Sequence, residues 1–209
     1  MAIDVLLSGF EPFDGAARNE SWDAVRHATP VLLDRGMSVA SIELPVVFGA
    51  GADALLAEVT AHAPRLVVAT GLAAGRQAIT PERVAINIQD ARIPDNAGAS
   101  PVDRPSLESG PVGYFSTLPI KAMVEAASAL GVAASVSQTA GTFVCNDVFY
   151  RLCHALQADG PDAGIRGGFV HVPSADVIDP EDAARALVAM VEAALGTRED
   201  LAITGGRES

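Results

Sequence analysis

An α/β fold with a largely parallel sheet is what the sequence predicts, on three observations. Short runs of β-branched and apolar residues alternate along the chain with segments whose apolar residues return at helical spacing. Start and stop signals bound those segments, such as Asp179-Pro180 before one and Gly131 after another. No abrupt change in composition divides the 209 residues, a length that can bury one substantial core. Strands that alternate with helices pair in parallel with both faces covered, and such sheets gather ligands outside the carboxyl ends of their strands. Residues 1–209 are therefore expected to form a single domain.

Taken in order, Asp4 to Ser8 reads as the first strand and Val39 to Leu44 as the second, with an amphipathic helical context around His27 between them. Leu55, Leu56 and Val59 share a helical face before a strand from Leu66 to Thr70. Val84 to Ile88 is strand-like. The stretch from Ala91 to Gly113 breaks the alternation: Pro94, Pro101, Pro105 and Pro111 with several Gly, Ser and Asp make it a long irregular loop, which in a compact domain is usually functional or mobile. Ile120, Met123, Val124, Ala127 and Leu130 then form a helical stripe closed by Gly131. Ala133 to Gln138 alternates as a strand, Val148, Phe149, Leu152 and Leu156 as a helix, and Gly168 to Val172 as a strand again. Asp179 and Pro180 suit the N-cap and first turn of a last helix, with Ala184, Leu187, Val188, Val191 and Leu195 on its apolar side. The tail from Thr197 to Ser209 is expected to be loosely held.

Charge and composition exclude several classes. Lys and Arg number 14 against 26 Asp and Glu, so the formal charge of -12 repels nucleic acid and acidic membrane surfaces. The start, MAIDVLLSGFEPF, lacks a basic n-region, and no stretch reaches the ~20 apolar residues of a membrane span, so a cytoplasmic protein is expected. The two cysteines, Cys145 and Cys153, suggest neither a disulfide framework nor a zinc site, and should stay reduced.

The segment TAGTFVCNDVFY, Thr139 to Tyr150, sets Cys145 where a strand hands over to a helix. Backbone N–H groups and the positive end of the helix dipole favour an anion there, so the thiol is expected to ionise below its free value of about 8.5 and serve as a nucleophile. Cys153, inside the same helical pattern, needs only packing to explain it. A cysteine nucleophile needs a base and a group to orient it. His27, His62 and His154 lie in helical contexts that give them surface or packing roles, whereas His171 ends the strand GGFVHV just before Pro173, at the edge where such sheets build sites. Glu82 and Asp90 flank RVAINIQ, and residue chemistry alone leaves both open as the imidazole's partner.

Eight runs carry a resemblance: GFEPFDG (9–15), NESW (19–22), GLAAGR (71–76), ITPERVAIN (79–87), DARIPDN (90–96), GYFSTLPIKAM (113–123), TAGTFVCN (139–146) and FVHVP (169–173). In content and order they resemble pyroglutamyl-peptidase I, the pyrrolidone-carboxylate peptidases, over nearly the whole chain. The resemblance implies a cytoplasmic cysteine peptidase on a single three-layer α/β/α domain. It further implies removal of N-terminal pyroglutamate from peptides without metal or cofactor, by a homodimer or homotetramer. It puts the nucleophile on Cys145, the base on His171 and the orienting acid on Glu82, and associates Arg92 with the oxyanion region. The pyroglutamyl pocket it implies is lined by Phe10, Phe13, Val46, Ile93, Phe143 and Val144, with Asn19 and the Leu72 main chain as polar partners. The implied reaction is acyl transfer through a thioester, with the Cys145 backbone N–H as the first oxyanion donor. Two departures stand out: Glu20 where proline is common, which would leave Asn19 less firmly presented, and Asp14 where a second glycine is usual. A glutamine amidohydrolase would keep the triad but need a charged pocket, against which GFEPF argues. A binding domain without catalysis would have no reason to keep the three residues together.

Overall fold

The computed structural model describes residues 2–158 and 164–206. Its elements in chain order are β1 (Val5–Phe10), α1 (Glu20–Asp34), β2 (Val39–Leu44), α2 (Ala50–His62), β3 (Leu66–Leu72), β4 (Thr80–Pro81), β5 (Val84–Ile86), β6 (Gly113–Phe115), α3 (Ile120–Ser128), α4 (Val144–Ala158), β7 (Arg166–Val172) and α5 (Pro180–Gly196). The main sheet has the order β2-β1-β3-β7-β4. Its first four strands are parallel and β4 runs antiparallel to β7.

The inner strands β1, β3 and β7 are buried on both faces because both are covered. Val5, Leu7, Leu66, Val68 and Val170 point into a core with α1, α3 and α5. Their neighbours Leu6, Val67, Ala69 and Phe169 point into a second core with α2 and α4. This period-two division between two helical layers is the expected α/β/α sandwich with a mostly parallel sheet. At α5 the expected cap forms, with the Asp179 side chain accepting from Glu181 N and Pro180 opening the helix.

Two strand expectations need correction, and one short strand, Thr80–Pro81, lies outside those expected. Val84–Ile86 leaves the main sheet and pairs with Gly113–Phe115 as a separate ribbon, so the loop from 91 to 113 is closed by a strand its proline content hid. Thr80–Pro81 joins the main sheet next to β7. Proline is tolerated there because Pro81 faces Val170 at a position that needs no donor, and the next ladder bond is made by Glu82 N to Phe169 O. Ala133 to Gln138 forms no continuous strand but only isolated parallel bridges, Ile79 to Ala134 and Glu82 to Ser137. Pro81 is the reason: a regular ladder would need its N–H to donate to the partner segment, and it has none.

The irregular loop is pinned at its centre. Asp95, 5% exposed, accepts from Ala97 N and Ala99 N within the loop and from Phe48 N outside it. Asn96 bonds to Val46 O, Glu11 Oε1 and Pro12 O. The tail, expected to be loose, is also tied: Thr197 O accepts from Arg166, Gly205 O from Arg83, and the Asp200 carboxylate from the backbone of Lys121 and Ala122.

Candidate active site

Cys145 is the second residue of α4, and its sulfur lies against Gly71 in β3, where a Cβ at position 71 would stand only 2.9 Å from Sγ. Glycine is required at 71 for this approach. Gly71 is in turn the register partner of His171 in β7, so the sheet sets sulfur and imidazole side by side. Gly141, with φ of +77°, turns the chain from the bridged segment into α4.

His171 is 4% exposed and its ring packs at a tilt against Phe169, the centroids 4.8 Å apart. Nδ1 is 2.7 Å from Glu82 Oε1, so Nδ1 carries the proton and Nε2 is left as the acceptor. Asp90 is exposed and has no bond to the imidazole. Glu82 has no exposed side chain and rests in a setting that sequence reasoning misses: Arg76 Nη1 reaches the same Oε1 at 2.6 Å, while Arg76 Nη2 donates to Thr139 O at 2.8 Å. Arg76 also contacts the Thr80 hydroxyl. The run GLAAGR contains the residue, but its partners lie on three separate segments, and no local spacing connects them.

The electrostatics reverse one expectation. Burial pushes the Cys145 thiol up to about 12, the nearby Glu82 charge adds to the rise, and Arg76 and the backbone N–H at the helix start offset only part of it. Desolvation outweighs the helix terminus, so the resting group is a thiol. Burial also moves His171 below its ordinary 6.5, against the opposing hydrogen bond and charge of Glu82. At neutral pH the two groups stand as neutral thiol and neutral imidazole.

Both open into one cavity of about 310 Å³. Its wall contains Phe10, Phe13, Val46, Leu72, Phe143 and Val144, with Asn19 as a polar group. Phe13 and Phe143 rings meet at 6.3 Å, and Phe48 packs edge-on to Phe143 at 5.3 Å. Asn19 is the N-cap of α1: its Oδ1 accepts from Ser21 N and its Nδ2 donates to Glu11 O at 2.9 Å, so it is held from both ends with Glu20 beside it. Asp14 adopts φ of +52°, the left-handed region that explains why glycine is usual there. Arg92 is exposed and Ile93 half-buried, and neither lines the cavity. Among the described residues no group of three His, Cys, Asp or Glu is placed to hold a metal ion, and no helix is long and apolar enough to cross a membrane.

An α/β domain that sets a cysteine and an imidazole on one apolar cavity, with a carboxylate behind the imidazole, has the layout of a cysteine hydrolase. Known proteins make the class specific. A family model described as pyroglutamyl peptidase matches residues 3–196. The pyrrolidone-carboxylate peptidase of Cupriavidus necator is 49% identical over 97% of this chain and 98% of its own, and that of Klebsiella pneumoniae 54% identical over 81% and 77%. The crystal structure of pyroglutamyl peptidase I from Bacillus amyloliquefaciens superposes with a TM-score of 0.87 at 37% identity, covering 98% of this chain and 100% of the other. The pyrrolidone carboxyl peptidase from Thermococcus litoralis gives 0.86 at 31% identity, covering 97% and 99%. The chain belongs to the pyroglutamyl peptidase family.

Proposed function

We propose that this chain hydrolyses the amide bond after an N-terminal pyroglutamyl residue, through a thioester on Cys145, with His171 as base and Glu82 as its orienting acid. The observation that carries the reading is the 2.7 Å Glu82–His171 bond directly behind an aromatic-lined cavity that Cys145 and His171 share. Cys145 attacks the pyroglutamyl carbonyl carbon as Nε2 of His171 takes the thiol proton. Neutral resting partners make this transfer concerted with attack, and no free thiolate has to persist. The tetrahedral intermediate collapses when the imidazolium returns that proton to the leaving amine, and water hydrolyses the thioester by the same route. The Cys145 backbone N–H is the oxyanion donor of the reading, since Arg92 stands outside the cavity.

Specificity follows from what the ring lacks. Its nitrogen is closed into a neutral lactam, so it enters a slot lined by Phe10, Phe13, Phe143 and Val144 without desolvating a charge. Asn19 uses one of its two amide hydrogens on Glu11 O, which leaves the other to meet the lactam carbonyl. Pyroglutamyl amides should therefore be cleaved at least ~100-fold more efficiently in kcat/KM than the matching Gln and Pro amides, whose ammonium groups find no acidic partner in the slot. Comparable turnover of the glutaminyl amide would favour an amidohydrolase and overturn this reading. Cys145→Ala and His171→Ala should each bring activity to background, while Glu82→Gln leaves a remnant. The same reading takes the chain as one cytoplasmic domain forming a homodimer or homotetramer. The family resemblance supports it, and sedimentation would measure the assembly.

A further inference from the structure

A second cavity, of about 810 Å³, opens beside the first and shares Arg76 and Thr139 with it. Its floor includes the bridged segment from Ala134 to Gln138, and its far wall Lys121, Val124 and Glu125 of α3. Its lining also includes Ile203 to Gly206 of the tail, where Gly205 lies against the Val136 side chain and accepts from the Gln138 side chain while leaving the backbone groups of the edge unpaired. That segment is the outer edge of the main sheet. Ala133 O accepts from Ile79 N, Ser135 N donates to Ile79 O, Ser137 N to Pro81 O, and Ser137 O accepts from Arg83 N, at 2.9, 3.1, 3.0 and 2.9 Å. All these bonds use odd-numbered residues and point inward. Alternation turns the N–H and C=O groups of Ala134, Val136 and Gln138 outward, and among the described residues they make no hydrogen bond. An open row of backbone donors and acceptors is a template for another extended chain.

We propose that this edge binds the stretch of substrate peptide that follows the scissile bond, as an added antiparallel strand. The inference rests on the peptidase reading above. The edge runs from 133 to 138 and continues through Thr139, Ala140 and Gly141 as a wall of the catalytic cavity, ending at Cys145. A peptide with its pyroglutamyl ring in that cavity must lead its remaining residues away from the 139 end toward 134, opposite to the edge in direction. The five edge residues from 134 to 138, at about 3.3 Å each, accommodate roughly four substrate residues. Contact through the main chain holds peptides of differing sequence, while α3 meets the side chains on one face.

The test uses the native protein and pyroglutamyl peptide amides of rising length with one constant residue after the ring. The expected result is a gain in kcat/KM of about tenfold up to roughly four added residues, then a plateau, from two or three backbone pairs. N-methylation of one alternate set of substrate amides should abolish the gain, and of the other set should leave it. A flat length series alongside normal cleavage of a small pyroglutamyl amide overturns the groove and leaves the peptidase reading standing. A gain indifferent to which amides are methylated overturns strand addition. No cleavage of any member ends both.

Discussion

Glu82 Oε1 accepts from both His171 and Arg76, while Oε2 is buried without a partner, so the carboxylate's charge is met from one side only. Arg76 is 23% exposed at its side chain and acts on the chemistry through its neighbours: its charge lowers the proton affinity of both His171 and Cys145. Removing that charge should raise both. Arg76→Met is expected to move the acid limb of kcat/KM to higher pH, and Arg76→Lys to restore it, because lysine keeps the charge and loses only the fork geometry. A limb that stays in place while stability falls would reduce Arg76 to a structural tie. The two thiols make a second residue-scale contrast. Both are pushed up to about 12 by burial, yet Cys145 faces a cavity and Cys153 is 3% exposed in the α4 core. Access, not acidity, should decide labelling: iodoacetamide is expected to modify Cys145 first, with loss of activity, and Cys153 only on unfolding. Peptide mapping reads this directly, and early label on Cys153 would remove Cys145 as the nucleophile. The rate at Cys145 should keep climbing above about pH 9, since no resting thiolate forms near neutrality.

The helix that carries Cys145 is fixed by the two residues that follow the cysteine. Asn146 accepts from Ile86 N and donates to Ile86 O and Ile88 O, stitching β5 to α4. Asp147, fully buried, accepts from Gly49 N at the start of α2, from Gln89 and from Arg151. The motif around Cys145 thus carries packing as well as chemistry. Another element takes its cap from far away: Pro119 supplies none to α3, and Asp200 meets the free N–H groups of Lys121 and Ala122 from 79 and 78 residues on. Asp200→Ala should cost about 1 kcal/mol of stability with unchanged kinetics, measured by urea unfolding and steady-state assays. These ties mark how far the sequence can be read. Buried parallel strands and the stripes of α2, α3, α4 and α5 are legible because period and caps are local. The ribbon β5-β6, the interrupted edge, the Asp200 cap and the Arg76 tie are not, because each depends on a partner brought near only by the fold. At the site, Cys145 and His171 stand out by position, and choosing Glu82 over Asp90 requires the resemblance. The thiol's acidity is misread from sequence because the dipole is visible there and burial is not.

At the scale of the whole molecule, titrating groups whose proton affinity the fold shifts bound the pH range of stability on both sides. Asp4 ties the start of β1 to Ser38 and to Arg65, and the Ser38 backbone N–H, the Ser38 hydroxyl and Arg65 hold its carboxyl below the ordinary 3.8. A depressed carboxyl contributes stability above 3.8 that is lost as pH falls through its folded value. His171, depressed from 6.5, is kept neutral in the fold, so its contribution is whole above 6.5 and fades as pH drops below it. Cys145 and Cys153 work in the opposite direction: raised from 9.0 to about 12, they favour the fold fully below 9.0 and progressively less as pH climbs toward 12. Thermal midpoints should therefore form a plateau between about pH 6.5 and 9, with an acid decline from His171 below it, a further loss below about pH 4 as Asp4 is protonated, and an alkaline decline to which the thiols contribute. Cys153→Ala tests the alkaline side away from the chemistry. It should lower the plateau slightly through the lost packing of one sulfur, yet flatten the decline above about pH 9, because of the two thiols only Cys145 then remains to ionise. An alkaline limb of unchanged slope in that variant would place the loss elsewhere, in lysine, tyrosine or arginine titration, and would remove buried thiols as its cause.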